Sequence, residues 1–148
     1  MPGPIVYLDR SVIRSRDIAG LREAVAKLTA FVRVREPQLL FYGFEIDEPT
    51  STLRVVAVHP DSESLELHLG IGGPGFREVG AFIDLQLIEV IGTPSAPVLE
   101  QLRKKAAMLG TDAQVVVREL TSSFERLSAI GAQHQAHRPD AGGAALEA

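Results

Sequence analysis

The sequence predicts an α+β fold in which helices cover one face of an antiparallel sheet. Two observations carry this prediction. Runs rich in β-branched and aromatic residues alternate with stripes of helical spacing, and two of these runs follow each other across a short turn. The chain has 148 residues, which suits one domain, and 45% of them are hydrophobic and 23% charged, as in ordinary globular proteins.

The first elements are a strand and a helix. Residues 5–13 are mostly β-branched or aromatic and predict a strand, in spite of two charged residues within it. Apolar residues then recur with helical spacing over residues 18–32. Asp17 stands at the N-cap position, and Pro37 prevents the helix from continuing.

A hairpin comes next. Residues 38–47 predict a second strand that is apolar on both faces, and residues 52–59 predict a third strand with alternating character. The turn between them is rich in Asp, Pro, Thr and Ser. The two strands are therefore expected to pair.

After the hairpin the sequence predicts a helix, a strand and a second helix. A short helix is predicted from about Ser62, capped by Asp61 or Ser62, and the glycine-rich run 70–75 is expected to end it. A strand follows at residues 86–92. Prolines then open a helix whose apolar residues are Leu99, Leu102, Ala106 and Leu109.

The chain closes on a strand at residues 115–120. The resulting order is the ferredoxin-like βαββαβ pattern with one extra helix and strand. We expect a single domain over residues 1–127 and a flexible C-terminal extension over residues 128–148, because the apolar periodicity fades there.

Composition excludes several functions. The chain has no Cys, which excludes thiol nucleophiles, thiolate metal sites and disulfides. A net charge of −4 argues against nucleic-acid binding. The N-terminus has no secretory pattern and no run is long enough to cross a membrane, so we expect a soluble, cytoplasmic protein.

The sheet raises a packing question. Helices of one chain can cover only one of its faces, yet the second strand is apolar on both and the other strands carry few strongly polar residues. A large apolar face is unusual on a soluble monomer. The sequence therefore predicts a homodimer in which a second copy covers the free face.

One segment resembles a known family. Residues 56–69 contain a strand that ends in His59, Pro60 and Asp61, followed by a short helix carrying His68, and residues 73–76 make a Gly/Pro-Phe exit. This order resembles the antibiotic biosynthesis monooxygenase-like domain family. Two later segments, residues 87–92 and 124–127, look like further parts of the same pattern.

The resemblance implies a dimeric α+β barrel in which each subunit holds a small cavity between sheet and helices. Some members oxidise quinol-like aromatic compounds with dioxygen and use neither metal nor flavin, so no cofactor is expected. Other members degrade haem with the help of a Trp, and this chain has none. Its aromatic content of 5% is also lower than in members whose pockets use several Tyr and Trp residues.

The candidate catalytic residues are His68, His59 and Tyr42. His68 falls on the same helical face as two leucines, where it needs a polar partner or a ligand. It is either a proton acceptor for a phenolic substrate or a core histidine bonded to a backbone carbonyl or a tyrosine hydroxyl. His59 is either functional or a turn residue, and Tyr42 either orients a ligand or packs.

The candidate ligand-binding residues are apolar, namely Phe44, Leu65, Phe76 and Phe82. They are expected to wall a cavity or simply to form core. A phosphate-binding interpretation of residues 70–75 is set aside because the run follows a helix instead of opening one. His134 and His137 lack partners for a metal site, and Lys105 is interpreted as part of a solvated helix face.

Two functions follow from these observations. The first is a cofactor-independent monooxygenase that acts on a small phenol or quinol-type compound, with His68, His59 or Tyr42 assisting deprotonation. The second is a non-catalytic module that binds a small apolar or aromatic ligand, or a partner, on the same scaffold.

Overall fold

The computed structural model describes residues 3–126, which have an α+β fold with one sheet. Its elements in chain order are β1 (Ile5–Ile13), α1 (Ile18–Arg35), β2 (Phe41–Asp47), β3 (Thr52–His59), α2 (Ser62–Ile71), α3 (Gly73–Gly80), β4 (Ile83–Ile91), α4 (Ala96–Leu109) and β5 (Gln114–Arg118). The expected domain boundary at residue 127 and the extension over residues 128–148 lie outside the described residues.

The five strands form one sheet in the order β2-β3-β1-β4-β5. All neighbours pair antiparallel except β4 and β5, which are parallel because α4 connects them as a crossover. The predicted ferredoxin-like α+β class is confirmed, and so is the β2–β3 hairpin. The sheet is antiparallel as predicted, apart from its last pair, β4 and β5.

One helix differs from the prediction. The glycine-rich run was expected to be an exit from α2, but α3 starts within it at Gly73 and continues to Gly80. Pro74 occupies the start of this helix, where its fixed φ and missing N–H cost nothing. The helix presents Phe76 and Val79 to the core.

The helices pack on one face of the sheet. On β1 this inner face carries alternate residues, starting from Ile5 and Tyr7 and ending at Ile13, all of them buried. Between them the same face also carries Asp9 and Ser11, which are buried as well. The inner face of β1 thus holds Asp9 and Ser11 among its apolar residues, and Val6, Leu8 and Val12 lie on the outer face.

The outer face of the sheet carries no helix of the described chain. Its residues are half-buried or exposed, and about half of them are apolar. The apolar ones are Val6, Leu8, Val12, Phe41, Val56, Val58, Leu87, Ile91 and Val116. Two ion pairs lie at its margins, Arg54 with Glu45 and Arg118 with Glu89. Among the helices of residues 3–126, none is long and apolar enough to cross a membrane.

Candidate functional site

A small cavity lies between the inner face of the sheet and the helices. Its volume is about 30 Å³, room for roughly two water-sized spheres. Most of its wall is apolar, and the polar side chains on it are those of Asp9, Ser11, Tyr42 and Lys105. We call this space the interior cavity.

Three polar residues form a hydrogen-bonded chain at this wall. Lys105 Nζ donates to the Tyr7 hydroxyl at 2.8 Å, and that hydroxyl donates to Asp9 Oδ2 at 2.5 Å. Lys105 Nζ also lies 3.7 Å from Asp9 Oδ2 and 4.1 Å from the centroid of the Phe76 ring. We call Lys105, Tyr7 and Asp9 the buried relay.

Burial dominates the electrostatics of the relay. Desolvation lowers the pKa of Lys105, while the neighbouring Asp9 carboxylate works against this shift. Desolvation also raises the pKa of Asp9, with the Lys105 charge opposing. Both shifts favour the uncharged forms, so a proton moves between these two groups at a lower cost than it would in water.

Ser11 adds an unused polar group to the same wall. Its side chain is 1% exposed, and its hydroxyl finds no hydrogen-bond partner among the described residues. A buried hydroxyl without a partner costs about 1–3 kcal/mol. Its position beside the relay suits a group that bonds to whatever enters the cavity.

His68 is bound to a carboxylate that the sequence analysis did not assign to it. Its Nδ1 donates to Glu36, at 2.8 Å from Oε2 and 3.0 Å from Oε1, and both side chains are almost fully buried. Burial lowers the pKa of His68, although the Glu36 hydrogen bond and charge oppose the shift. This bond joins the end of α1 to α2.

His59 is held by the start of α2. Its Nδ1 lies 2.7 Å from Ser64 Oγ, which also accepts from Gln38 Nε2 at 3.2 Å. Depending on the tautomer of the ring, Nδ1 accepts from the serine hydroxyl or donates to it. Nε2 is a buried atom with no partner among the described residues. Burial lowers the pKa of His59 to about 3.

The structure brings four of the predicted site residues together as a ring cluster. The His68 ring has its centroid 5.1 Å from Tyr42, 5.4 Å from His59 and 5.3 Å from Phe76. Tyr42 and Phe76 belong to the cavity wall, whereas the two imidazoles lie behind it.

The other predicted ligand-binding residues divide between wall and core. Phe44 lines the interior cavity and meets the Tyr42 ring edge-on at 5.2 Å. Leu65 is fully buried in the core, and Phe82 packs against the part of the core that contains Leu21 and Leu28. Neither residue lies on the described cavity wall. Catalytic and binding roles for all seven residues stay predictions.

The fold can be compared with solved structures. MupZ from Pseudomonas fluorescens superposes with a TM-score of 0.64 at 22% identity, over 86% of this chain and 93% of that chain. A proposed antibiotic biosynthesis monooxygenase from Caulobacter crescentus gives 0.56 at 17% identity, over 64% of this chain and 92% of that chain. SnoaB from Streptomyces nogalater, a cofactor-independent oxygenase, gives 0.53 at 14% identity, over 64% and 96%.

The chain has the fold of antibiotic biosynthesis monooxygenase-like proteins. The resemblance inferred from residues 56–69 is therefore confirmed for the fold. No family model matches the sequence, and no curated protein matches it.

On this monooxygenase-like scaffold the buried relay is a feature that was not predicted from the sequence. Lys105 was expected in solvent and is 8% exposed. The available signal was its spacing, because it follows Leu102 by three positions and precedes Leu109 by four, on the inward stripe of α4. Glu36 gave a similar signal, four positions after the buried Val32.

Metal binding has no basis in the described residues. Within residues 3–126 no group of three His, Cys, Asp or Glu side chains is placed to hold a metal ion. His134 and His137 lie outside that range.

Proposed function

We propose that this protein is a cofactor-independent monooxygenase acting on a small phenol or quinol-type compound bound in the interior cavity. The observation that carries the proposal is the buried relay, in which Lys105 and Asp9 on the wall of a mostly apolar cavity are joined through the Tyr7 hydroxyl. SnoaB shares the fold and is a cofactor-independent oxygenase. That likeness raises the prior for the chemistry and does not identify the substrate.

Asp9 accepts the substrate's proton in this proposal. Burial raises the pKa of Asp9 and so makes it a stronger base. The phenolate that forms then faces the Lys105 ammonium, which stabilises negative charge in a mostly apolar cavity. Ser11 has a free hydroxyl to bond the same oxygen.

The reaction balances without another reductant. The phenolate gives an electron to dioxygen, and the two radicals combine to form a carbon–oxygen bond at a ring carbon. The resulting hydroperoxide loses water as that carbon gives up its hydrogen. One oxygen atom of dioxygen becomes a quinone carbonyl, and the other leaves as water.

Tyr42 is the proposed point of substrate entry. It lines the interior cavity and also a surface pocket of about 230 Å³ that reaches Glu36. The interior cavity alone is too small for a phenol, so the Tyr42 ring must move for a substrate to enter. His68 and His59 act as positioning residues behind this ring, through the contacts of the ring cluster.

We also propose that the working unit is a homodimer joined by the outer face of the sheet. The support is the run of half-buried and exposed apolar residues on that face. Light scattering at micromolar concentration is expected to give twice the mass of one chain, 16.0 kDa. A monodisperse monomer would overturn this part of the proposal.

Oxygen uptake tests the activity. Wild-type protein is incubated aerobically with a panel of phenols, hydroquinones and anthrones. Lys105→Met is expected to lower kcat by roughly 100-fold or more, and Lys104→Met, its exposed neighbour on the same helix, to leave it unchanged. His68→Ala is expected to raise KM more than it lowers kcat, as befits a positioning residue. Uptake that is equal in all four proteins would refute the assignment.

The second candidate is a non-catalytic binding module, and the small volume of the interior cavity favours it. Thermal-shift measurements with the same compounds separate the two functions. Ligand-dependent stabilisation without oxygen uptake from any compound would select the binding module over the oxygenase.

A further inference from the structure

Lys105 has the surroundings of a reactive amine. It lies on the wall of the interior cavity, 8% exposed, with its Nζ against the Phe76 ring and bonded to the Tyr7 hydroxyl. We propose that Lys105 is a carbonyl-binding lysine, which forms an imine with small aliphatic aldehydes that enter this cavity. The inference goes beyond the oxygenase reaction, because imine formation needs no dioxygen.

The relay supplies a route to the free amine. The Tyr7 hydroxyl accepts from Lys105 and donates to Asp9, so one proton passes along two existing hydrogen bonds from ammonium to carboxylate. No side chain has to move for this transfer. Burial lowers the pKa of Lys105 and raises that of Asp9, which favours the neutral pair.

The two imidazoles near the amine add no charge that competes with Asp9. Charge coupling with Lys105 lowers the pKa of His59 and of His68. Both imidazoles are kept mostly uncharged at neutral pH by burial. Asp9 is thus the charged group that decides the state of the amine.

The chemistry balances within the site. The neutral Nζ attacks the carbonyl carbon, a nitrogen–carbon bond forms as the carbon–oxygen π bond breaks, and the oxygen takes a proton from the attacking nitrogen. The protonated Asp9 then returns its proton to that oxygen, which leaves as water when the carbon–nitrogen double bond forms. The product is an iminium ion whose charge occupies the place of the ammonium, opposite the Asp9 carboxylate.

The cavity limits the partner to a small molecule. A volume of about 30 Å³ corresponds to roughly two water-sized spheres, which suits an aldehyde of two carbons. The Ser11 hydroxyl, buried without a partner, lies on the same wall and is available to the carbonyl oxygen.

Reductive trapping tests this inference. Full-length protein is treated at pH 7 without oxygen with acetaldehyde and cyanoborohydride, and the ethyl label on each lysine is measured over time by peptide mass spectrometry. The chain has two further lysines, Lys27 and Lys104, both exposed, and they serve as references in the same sample. An ordinary lysine is almost wholly protonated at this pH.

We expect Lys105 to be labelled at least about tenfold faster than Lys104, since each unit of lowered pKa multiplies the free amine about tenfold. In Asp9→Asn, which removes the acid that expels water from the addition product, this preference is expected to fall although loss of the Asp9 charge lowers the pKa of Lys105 further, while labelling of the reference lysines stays the same. Labelling of Lys105 no faster than that of Lys104 overturns the inference. Because dioxygen is absent, this failure is distinct from failure of the oxygenase proposal.

Discussion

Acidification should destabilise the fold through His59. The pKa of this imidazole is about 3 in the folded chain, against an ordinary 6.5. Between these values the unfolded chain binds the proton and the folded chain does not, so stability is complete above pH 6.5 and falls as the pH drops toward 3. From pH 7 to pH 5 the loss from His59 is about 2 kcal/mol at 1.36 kcal/mol per unit.

Urea unfolding at these two pH values measures the effect, with His59→Asn as the control. Asparagine does not titrate and can still accept from Ser64. The other titrating groups are present in both proteins, including Asp9, whose raised pKa acts in the opposite direction. Wild-type protein is therefore expected to lose about 2 kcal/mol more than the variant.

An equal loss in the two proteins would refute the reasoning. Should the variant fail to fold, the His59 imidazole can be titrated by NMR in wild-type protein instead. It is expected to stay neutral down to pH 4, and a midpoint near its ordinary value would contradict the buried, neutral assignment.

Three further variants test packing and pairing. Lys105→Met should lower the free energy of unfolding, measured in urea, by about 3–5 kcal/mol because it leaves Asp9 buried without its countercharge. Adding Asp9→Leu should recover at least about half of that loss. Purely additive effects of the two substitutions would contradict the coupling between Lys105 and Asp9. Gly110→Ala should lower the free energy of unfolding by about 1–3 kcal/mol or more, because the new Cβ would lie 2.2 Å from the Leu85 carbonyl oxygen. An unchanged thermal midpoint would contradict this contact. Leu8→Glu, on the outer face, should shift the light-scattering mass from dimer to monomer, and an unaltered mass would exclude that face as the interface.

Local signals in the sequence were sufficient to predict most of the helices and strands. Asp17 was predicted as an N-cap, and its side chain accepts from the Gly20 N–H at the start of α1. Asp61 likewise caps α2 by accepting from Ser64. Capping and periodicity depend on neighbours in the chain, which is why they can be recognised without a structure.

The relay could not be found in the same way. Tyr7 and Lys105 are 98 positions apart, and only the packing of α4 over β1 brings them within hydrogen-bond distance. A lysine or an aspartate is also not expected at an inward-facing position unless it has a buried partner, and the sequence does not show which residue that partner is. The His68–Glu36 pair, 32 positions apart, was hidden for the same reason.

Isotopically labelled dioxygen tests the central claim most directly. Wild-type protein is given the phenol, hydroquinone or anthrone that supports the fastest oxygen uptake, and the product is analysed by mass spectrometry. The account predicts one labelled oxygen atom in each molecule of product and one in water, with the labelled product lost in Lys105→Met and kept in Lys104→Met. A product without labelled oxygen, or one formed equally well by Lys105→Met, would contradict it.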